Sequence, residues 1–199
     1  MGLDELERQR DLAVCGYSLA EGAQTRFAAE GAHDPTATRY FVLEKLFSQM
    51  EFDVDSHLLD VGCGAGRALA YYVEVGLPGR ATGVELDPVL ARRASTWARN
   101  FPQLAVVEGS VLDVSLRPYT HFYLFNPFDS CVLERFVEKL EAEVRGCVTL
   151  CHMSDNGENY LFWGRAGWRL QTEGWIHEYE GSPAFNCPQH WSIWQFDRA

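Results

Sequence analysis

Two carboxylates flank a glycine-rich turn in the first half of this 199-residue chain. Asp60 ends an apolar run, the glycines at positions 62, 64 and 66 follow at once, and Glu85 ends a second apolar run. Glycine lets the backbone take positive φ and approach a ligand closely. A helix that begins after such a turn directs free N–H groups at whatever lies above it. The pattern predicts a site for a nucleoside-bearing cofactor at the ends of two strands.

The glycine spacing and Asp60 separate three interpretations of this turn. A dinucleotide site requires G-x-G-x-x-G, but here the third glycine, Gly66, comes one residue early and Arg67 follows it. A carboxylate before the first glycine would also repel a pyrophosphate. A turn with no ligand is the second interpretation, because a lone glycine triplet is a weak motif. We favour the third, a cofactor that has a positive charge and no phosphate, because only this interpretation makes use of Asp60.

The elements that must position these residues alternate along the chain. Apolar strands and intervening helices over residues 57–151 predict a parallel sheet with crossover helices. Residues 1–52 are predicted to form a helical cap over the cofactor, with helices over residues 3–29 and from Thr36 to Met50. Arg39 and Tyr40 belong to this cap. Residues 155–199 are predicted to form a helix over 159–165 and a hairpin with strands over 168–178 and 191–196.

The two glycine-containing segments resemble motifs of a known superfamily. Leu58–Gly66 resembles the first motif of class I S-adenosylmethionine-dependent methyltransferases, and Gly83–Pro88 resembles their second. The resemblance implies that Glu85 accepts hydrogen bonds from both ribose hydroxyls. Ser110 stands where many members have an acid, so we assign the adenine contact to Ser110 or to the Val111 backbone. The complete set of predicted cofactor-binding residues is Asp60, Gly62, Cys63, Gly64, Gly66, Glu85, Leu86, Ser110, Val111 and Asn126.

A fourth motif follows the strand over residues 121–125. Asn126-Pro127-Phe128-Asp129 resembles the Asp/Asn-Pro-Pro-Tyr/Phe motif of amino-methyltransferases, without the second proline. The resemblance implies that Asn126 orients the acceptor nitrogen, although an Asn-Pro turn without function remains the alternative. If a base must remove a proton, the candidates are His33, His152 and Asp129.

A closer resemblance covers residues 33–130. His33–Thr36 and Arg39–Phe47 are similar to a stretch in small, mostly bacterial class I methyltransferases, whose Tyr-Glu is replaced here by His33-Asp34. In the superfamily the last two strands form an antiparallel pair. The resemblance therefore implies one domain over residues 1–199 with an α/β fold, in which a Rossmann-like, seven-stranded mixed sheet has helices on both faces.

Charge and cysteine content limit the partners. With 17 basic and 28 acidic side chains, the net charge of −11 disfavours nucleic-acid substrates. No apolar stretch is long enough to span a membrane, and the charged N-terminus is unlike a signal peptide, so we expect a cytoplasmic protein. Cys147, Cys151 and His152 could join Cys187 and His190 in a zinc site. Cys147 and Cys151 share one strand face, however, so we predict core packing and no metal.

The sequence therefore predicts an S-adenosylmethionine-dependent methyltransferase. Its acceptor is expected to be a small molecule or a protein, with nitrogen favoured as the acceptor atom, and the oligomeric state is left open. A non-catalytic binding module that keeps the fold is the alternative. A nucleotide-dependent oxidoreductase is disfavoured by the glycine spacing.

Overall fold

A seven-stranded sheet forms the centre of the computed structural model, which describes residues 2–20 and 24–198. Its strands are β1 (His57–Val61), β2 (Arg80–Glu85), β3 (Leu104–Glu108), β4 (His121–Phe125), β5 (Cys147–Met153), β6 (Trp168–Ile176) and β9 (Gln189–Asp197). They lie in the order β3-β2-β1-β4-β5-β9-β6. The first five are parallel, and β9 runs antiparallel between β5 and β6. Two further strands, β7 (Glu178–Tyr179) and β8 (Ser182–Pro183), form a separate short hairpin.

Five α-helices and two 3₁₀ turns accompany the sheet in the described part of the chain. The helices are α1 (Leu3–Cys15), α2 (Tyr40–Phe47), α3 (Arg67–Glu74), α4 (Pro88–Ala98) and α5 (Ser130–Glu143), and the turns span Ala28–Glu30 and Glu158–Leu161. Two helices begin with an aspartate cap, which satisfies an N–H group that has no partner inside the helix. Asp87 accepts from Val89 N–H at the start of α4, and Asp129 accepts from Val132 N–H at the start of α5.

The core lies on both faces of the sheet. Successive strand residues point to opposite faces, and the neighbours Leu58 and Leu59 accordingly join different hydrophobic clusters. One cluster includes Leu43 of α2 and Leu69 of α3, and the other includes Phe136 of α5. The predicted mixed sheet with flanking helices and a C-terminal antiparallel pair is confirmed.

The predicted N-terminal helices are partly wrong. The first helix ends at Cys15 instead of residue 29, because Gly16 takes φ 80° and its N–H closes the helix on the Leu12 carbonyl. Residues 21–23 of that predicted helix lie outside the described part of the chain, as do residues 1 and 199 of the predicted domain. The second helix begins at Tyr40 instead of after Thr36. Its first N–H group is capped by a residue far away in the sequence, since Tyr40 N–H donates to the Glu7 carboxylate at 2.9 and 3.1 Å.

The C-terminal third also differs from the prediction. The helix expected over residues 159–165 is only the 3₁₀ turn Glu158–Leu161, which follows Gly157 in the left-handed region and ends at its C-cap residue Phe162. Strand β6 stops at Ile176, whereas β9 extends beyond its predicted bounds at both ends. Cys151 is buried as predicted, but the prediction of core packing is wrong for Cys147, which is exposed at the start of β5.

Two observations concern metals and membranes. Within residues 2–20 and 24–198, no group of three or more His, Cys, Asp or Glu side chains is arranged to hold a metal ion. Over the same residues, no helix has the length and apolar character needed to cross a membrane.

Candidate functional site

A cavity of about 410 Å³ lies at the carboxyl ends of β1 to β4. Parallel strands bring their carboxyl ends to one edge of a sheet, where ligands of such folds bind. Nine of the ten predicted cofactor-binding residues line this cavity, namely Asp60, Gly62, Cys63, Gly64, Glu85, Leu86, Ser110, Val111 and Asn126. The fold therefore brings together residues from the ends of four different strands.

The glycine turn lies between β2 and the loop that follows β4. The N–H groups of Gly62 and Cys63 both donate to the Val84 carbonyl, at 2.9 and 3.0 Å. Gly62 takes φ 71°, and a Cβ added there would lie 2.6 Å from Pro127 Cβ. Only glycine leaves room for this approach, so Gly62 determines how closely the Asn126-Pro127 segment approaches the turn.

Gly66, the tenth predicted residue, is not among the cavity-lining residues. A Cβ at this position would lie 3.0 Å from Cζ2 of Trp97 in α4. The Trp97 indole N–H also donates to the Ala65 carbonyl at 3.0 Å. Gly66 thus lets α4 pack against the back of the turn.

Glu85 holds the turn and the start of the next loop with one carboxylate. Oε2 accepts from Gly64 N–H at 2.7 Å, and Oε1 accepts from Asp87 N–H at 2.8 Å. The side chain is buried, and burial raises its pKa above the ordinary range, while these backbone hydrogen bonds act in the opposite direction. Each carboxylate oxygen has a further lone pair, so Glu85 can accept two more hydrogen bonds from a ligand.

Asp60 is a buried carboxylate without a hydrogen bond or ion pair to any described residue, and it is 4% exposed. Burial, and secondly the nearby charge of Glu85, raise the pKa of Asp60 to about 8. A cation bound in the cavity would favour the charged form of such a group. The pair of acids therefore fits a ligand that has both a positive charge and hydroxyl donors.

Asn126 presents an unused acceptor at the same edge. Its Oδ1 is buried and has no hydrogen-bond partner, and its backbone takes φ 41°. An unpaired buried acceptor costs roughly 1–3 kcal/mol. The main-chain carbonyl of Asn126 is engaged, because it lies 3.0 Å from Nδ1 of His33. The side-chain oxygen is thus left for a ligand.

A segment from which the sequence analysis named only His33 as a candidate site residue forms one wall of the cavity. We call residues 24–38 the cover segment; many of them line the cavity, among them Phe27, His33 and Thr38. The segment is fixed by a β-bridge between Ala32 and Phe128 and by a hydrogen bond between the hydroxyl groups of Thr38 and Tyr123. The predicted helical cap was expected to cover the cofactor, but the cover segment contains only the 3₁₀ turn Ala28–Glu30, and Arg39 and Tyr40 do not line the cavity.

A buried charge cluster lies beside the turn and was also missed. Arg67 follows Gly66, is 5% exposed and lines the cavity. Its guanidinium donates to both carboxylate oxygens of Asp11 at 3.0 and 2.7 Å, and to Glu7 at 3.1 Å. These contacts join α1 to α3. The only signal in the sequence was the presence of Arg67 where a dinucleotide fingerprint has a small residue.

Two of the three candidate bases lie away from the cavity lining. His152 is 1% exposed within β5, and burial lowers its pKa to about 4. Asp129 caps α5. His33 alone lines the cavity.

Comparison with known proteins agrees with this architecture. A family model described as a methyltransferase domain matches residues 59–152. An RNA methyltransferase from Salinibacter ruber, solved with S-adenosyl-L-homocysteine, has 16% identity and a TM-score of 0.61 over 82% of this chain and 95% of its own. A putative methyltransferase from Escherichia coli has 19% identity and a TM-score of 0.63 over 83% and 89% of the two chains. At these identities the structures show the fold alone, and no curated protein sequence matches the chain.

The strand order, the glycine turn and the acidic strand ends define a Rossmann-like domain of the methyltransferase type. The methyltransferase-domain model over residues 59–152 and the solved methyltransferases of the same fold agree with the resemblance to the superfamily of class I S-adenosylmethionine-dependent methyltransferases. The cofactor of that superfamily is S-adenosyl-L-methionine.

Proposed function

We propose that the protein transfers a methyl group from S-adenosylmethionine to a nitrogen atom of a small molecule or protein. The observation that carries the proposal is the buried, unpartnered Oδ1 of Asn126, in a cavity that also contains the glycine turn and Glu85. A buried acceptor with no partner in the protein is suited to receive an N–H donor from a ligand.

The residues of the turn would hold the cofactor. Glu85 would accept both ribose hydroxyls, because its two oxygens each keep a free lone pair beyond the bonds to Gly64 and Asp87. Asp60 would face the cationic part of the cofactor. Ser110 Oγ accepts from Leu112 N–H at 3.2 Å, so its hydroxyl hydrogen remains available to the adenine ring. The remaining predicted contacts, from Gly62, Cys63, Gly64, Leu86 and Val111, all come from cavity-lining residues.

When bound, S-adenosylmethionine supplies a methyl group on a positively charged sulfur, from which a nucleophile displaces it. The protein's task is then mainly to align the acceptor, and good alignment of two reactants contributes up to about 7–11 kcal/mol to lowering a barrier. Asn126 would accept one N–H of the acceptor and so fix the direction of the nitrogen lone pair. The cover segment would exclude water from this side of the cavity.

The charge of the cavity favours a basic acceptor. Glu30, Asp34 and Asp113 line it together with Asp60 and Glu85. The net charge of −11 disfavours a nucleic-acid acceptor. The Salinibacter ruber protein is an RNA methyltransferase, but the likeness to it concerns the fold. A cytoplasmic location stays a prediction from the sequence.

A thermal-shift titration tests the cofactor. S-adenosylhomocysteine should raise the melting temperature because it binds only the native state, whereas NAD(H) should not. Glu85→Ala should abolish the rise. If neither ligand shifts the wild type, the cofactor assignment is wrong.

A second assay tests the transfer itself. Methyl transfer from labelled S-adenosylmethionine into pools of small amines and lysate proteins should be measurable, and Asn126→Ala should suppress it. Cofactor binding without any labelled product across these pools would favour the alternative, a non-catalytic binding module.

A further inference from the structure

We propose that His33 is the general base that takes a proton from the acceptor nitrogen, an inference that rests on the proposed function. His33 belongs to the cover segment, and its ring lines the same cavity as Asn126. The residues are 93 positions apart in the sequence, and the fold places the His33 ring against the backbone of Asn126.

The hydrogen bond between the two residues determines which ring nitrogen carries the hydrogen. Nδ1 of His33 lies 3.0 Å from the main-chain oxygen of Asn126. A carbonyl oxygen accepts and cannot donate, so Nδ1 must carry the hydrogen. The neutral imidazole then has its lone pair on Nε2, which is the nitrogen that can accept a proton.

Backbone hydrogen bonds also hold the residues around His33 against the loop that follows β4. His33 N–H donates to the Pro127 carbonyl at 3.0 Å, and Asp129 N–H donates to the Gly31 carbonyl at 2.8 Å. The His33 ring makes no second hydrogen bond to a described residue, so Nε2 stays open. Nε2 and Oδ1 of Asn126 are thus two free acceptors at one cavity, and a protonated amine has more than one N–H to donate to them.

The proton balance follows from this arrangement. An ammonium nitrogen has no lone pair with which to attack a methyl group. When one of its N–H bonds breaks, the electron pair stays on nitrogen and the proton passes to Nε2, which gives a neutral amine and an imidazolium. Because His33 is exposed, the imidazolium can then release that proton to water.

Charged groups from several elements face this cavity and would act on His33. The acids are Glu30 and Asp34 on its own segment, Asp60 and Glu85 at the ends of β1 and β2, Asp87 at the start of α4, and Asp113 after β3; the arginines are Arg67 on α3 and Arg135 on α5. Six acids and two arginines thus line the cavity, so its charge is mainly negative. Asp60, whose pKa is raised to about 8, changes charge over a neighbouring pH range. A test by pH therefore has to compare variants that all keep Asp60.

The first test needs no ligand. Nitrogen-15 NMR of the neutral His33 imidazole should show hydrogen on Nδ1 and none on Nε2. Hydrogen on Nε2 would overturn the inference.

The second test uses two probes, S-adenosylhomocysteine and sinefungin, an analogue with an amino group where the cofactor has its methyl group. The ratio of sinefungin to S-adenosylhomocysteine affinity should rise by about tenfold between pH 5 and pH 8, because a charged imidazole repels the ammonium. In His33→Asn, which keeps an amide donor for the Asn126 carbonyl, the ratio should rise less than in the wild type, and the rise that remains is the contribution of Asp60. His177→Asn is the matched control, since His177 does not line the cavity, and it should keep the wild-type pH dependence.

The outcomes separate the two proposals. Suppose that the wild type binds S-adenosylhomocysteine, but its affinity ratio either does not depend on pH or depends on pH as strongly in His33→Asn. This result would overturn the role of His33 and leave the proposed function standing. Failure of the wild type to bind S-adenosylhomocysteine would overturn both.

Discussion

Replacing Asp11 by alanine should destabilise the protein strongly. Asp11 is fully buried and accepts hydrogen bonds from Arg67, from Tyr40 Oη at 3.0 Å and from Leu19 N–H at 2.8 Å. The Arg67 side chain is only 4% exposed, so without Asp11 its charge stays buried with Glu7 as the remaining carboxylate. Breaking a buried pair in this way costs about 3–5 kcal/mol. For a chain of this size that corresponds to a fall in melting temperature of roughly 6–20 °C.

The same helix supplies a matched control. Asp4 pairs with Arg39 at 2.8 Å, but the Asp4 side chain is 90% exposed. Exposed pairs contribute about 0–1 kcal/mol, so Asp4→Ala should unfold in urea almost as the wild type does. Equal free energies of unfolding for Asp11→Ala and Asp4→Ala would refute the reasoning.

A combined variant separates the cost of an unpaired charge from the loss of packing. Glu7→Gln, Asp11→Leu and Arg67→Met together remove every charge of the cluster. Replacing a buried ion pair by apolar groups of similar volume is often close to neutral. The combined variant should therefore be more stable than Asp11→Ala alone, and a lower stability would show that the charges themselves are required.

Three further results are expected. Gly62→Ala should destabilise the protein more than Gly64→Ala in urea unfolding, because both have positive φ but only Gly62 has Pro127 in the way, at 2.6 Å; equal losses would contradict this. In the ligand-free protein, Asp60 has its pKa raised to about 8 from an ordinary value of about 3.9, so its stabilising contribution is complete below pH 4 and is lost as the pH rises towards 8. Asp60→Asn should therefore gain melting temperature relative to the wild type between pH 5 and pH 8, and a constant difference would speak against the raised pKa. Asn126→Gly should not lower the unfolding free energy, since it removes the unpaired Oδ1 and glycine readily adopts the φ of 41° at this position, yet it should reduce methyl transfer by roughly 100-fold in a labelled-cofactor assay; parallel losses of stability and transfer would point to a structural role.

The parts of the molecule that the sequence predicted are those encoded by local patterns. The strand over residues 57–61, the glycines that follow it and Glu85 at the end of β2 are all read from short segments. A parallel sheet then brings the strand ends together without further information. For this reason most of the predicted cofactor-binding residues line one cavity, and the antiparallel pairing of β6 and β9 also agrees with the resemblance.

The parts that were missed depend on contacts between distant segments. Thr36 is a reasonable helix cap by type, but α2 begins at Tyr40 because Glu7, 33 residues earlier, supplies the carboxylate that its first N–H requires. The partners of Arg67 in α1 are likewise far away in the sequence. No local pattern identifies such pairs, so both the start of α2 and the buried cluster could only be seen in the folded chain.

The part of the cavity around Asn126 depends both on a local sequence motif and on contacts between distant segments. Asn126 was found from its motif, but its environment is made by the cover segment, through His33 and through the bridge between Ala32 and Phe128. The other residues predicted to bind the cofactor, in contrast, come from β1, β2 and the loops after them and after β3. Changes in the cover segment should therefore alter which acceptor is used more than they alter cofactor binding. This division explains why the sequence predicts a cofactor in detail and an acceptor only by its reacting atom.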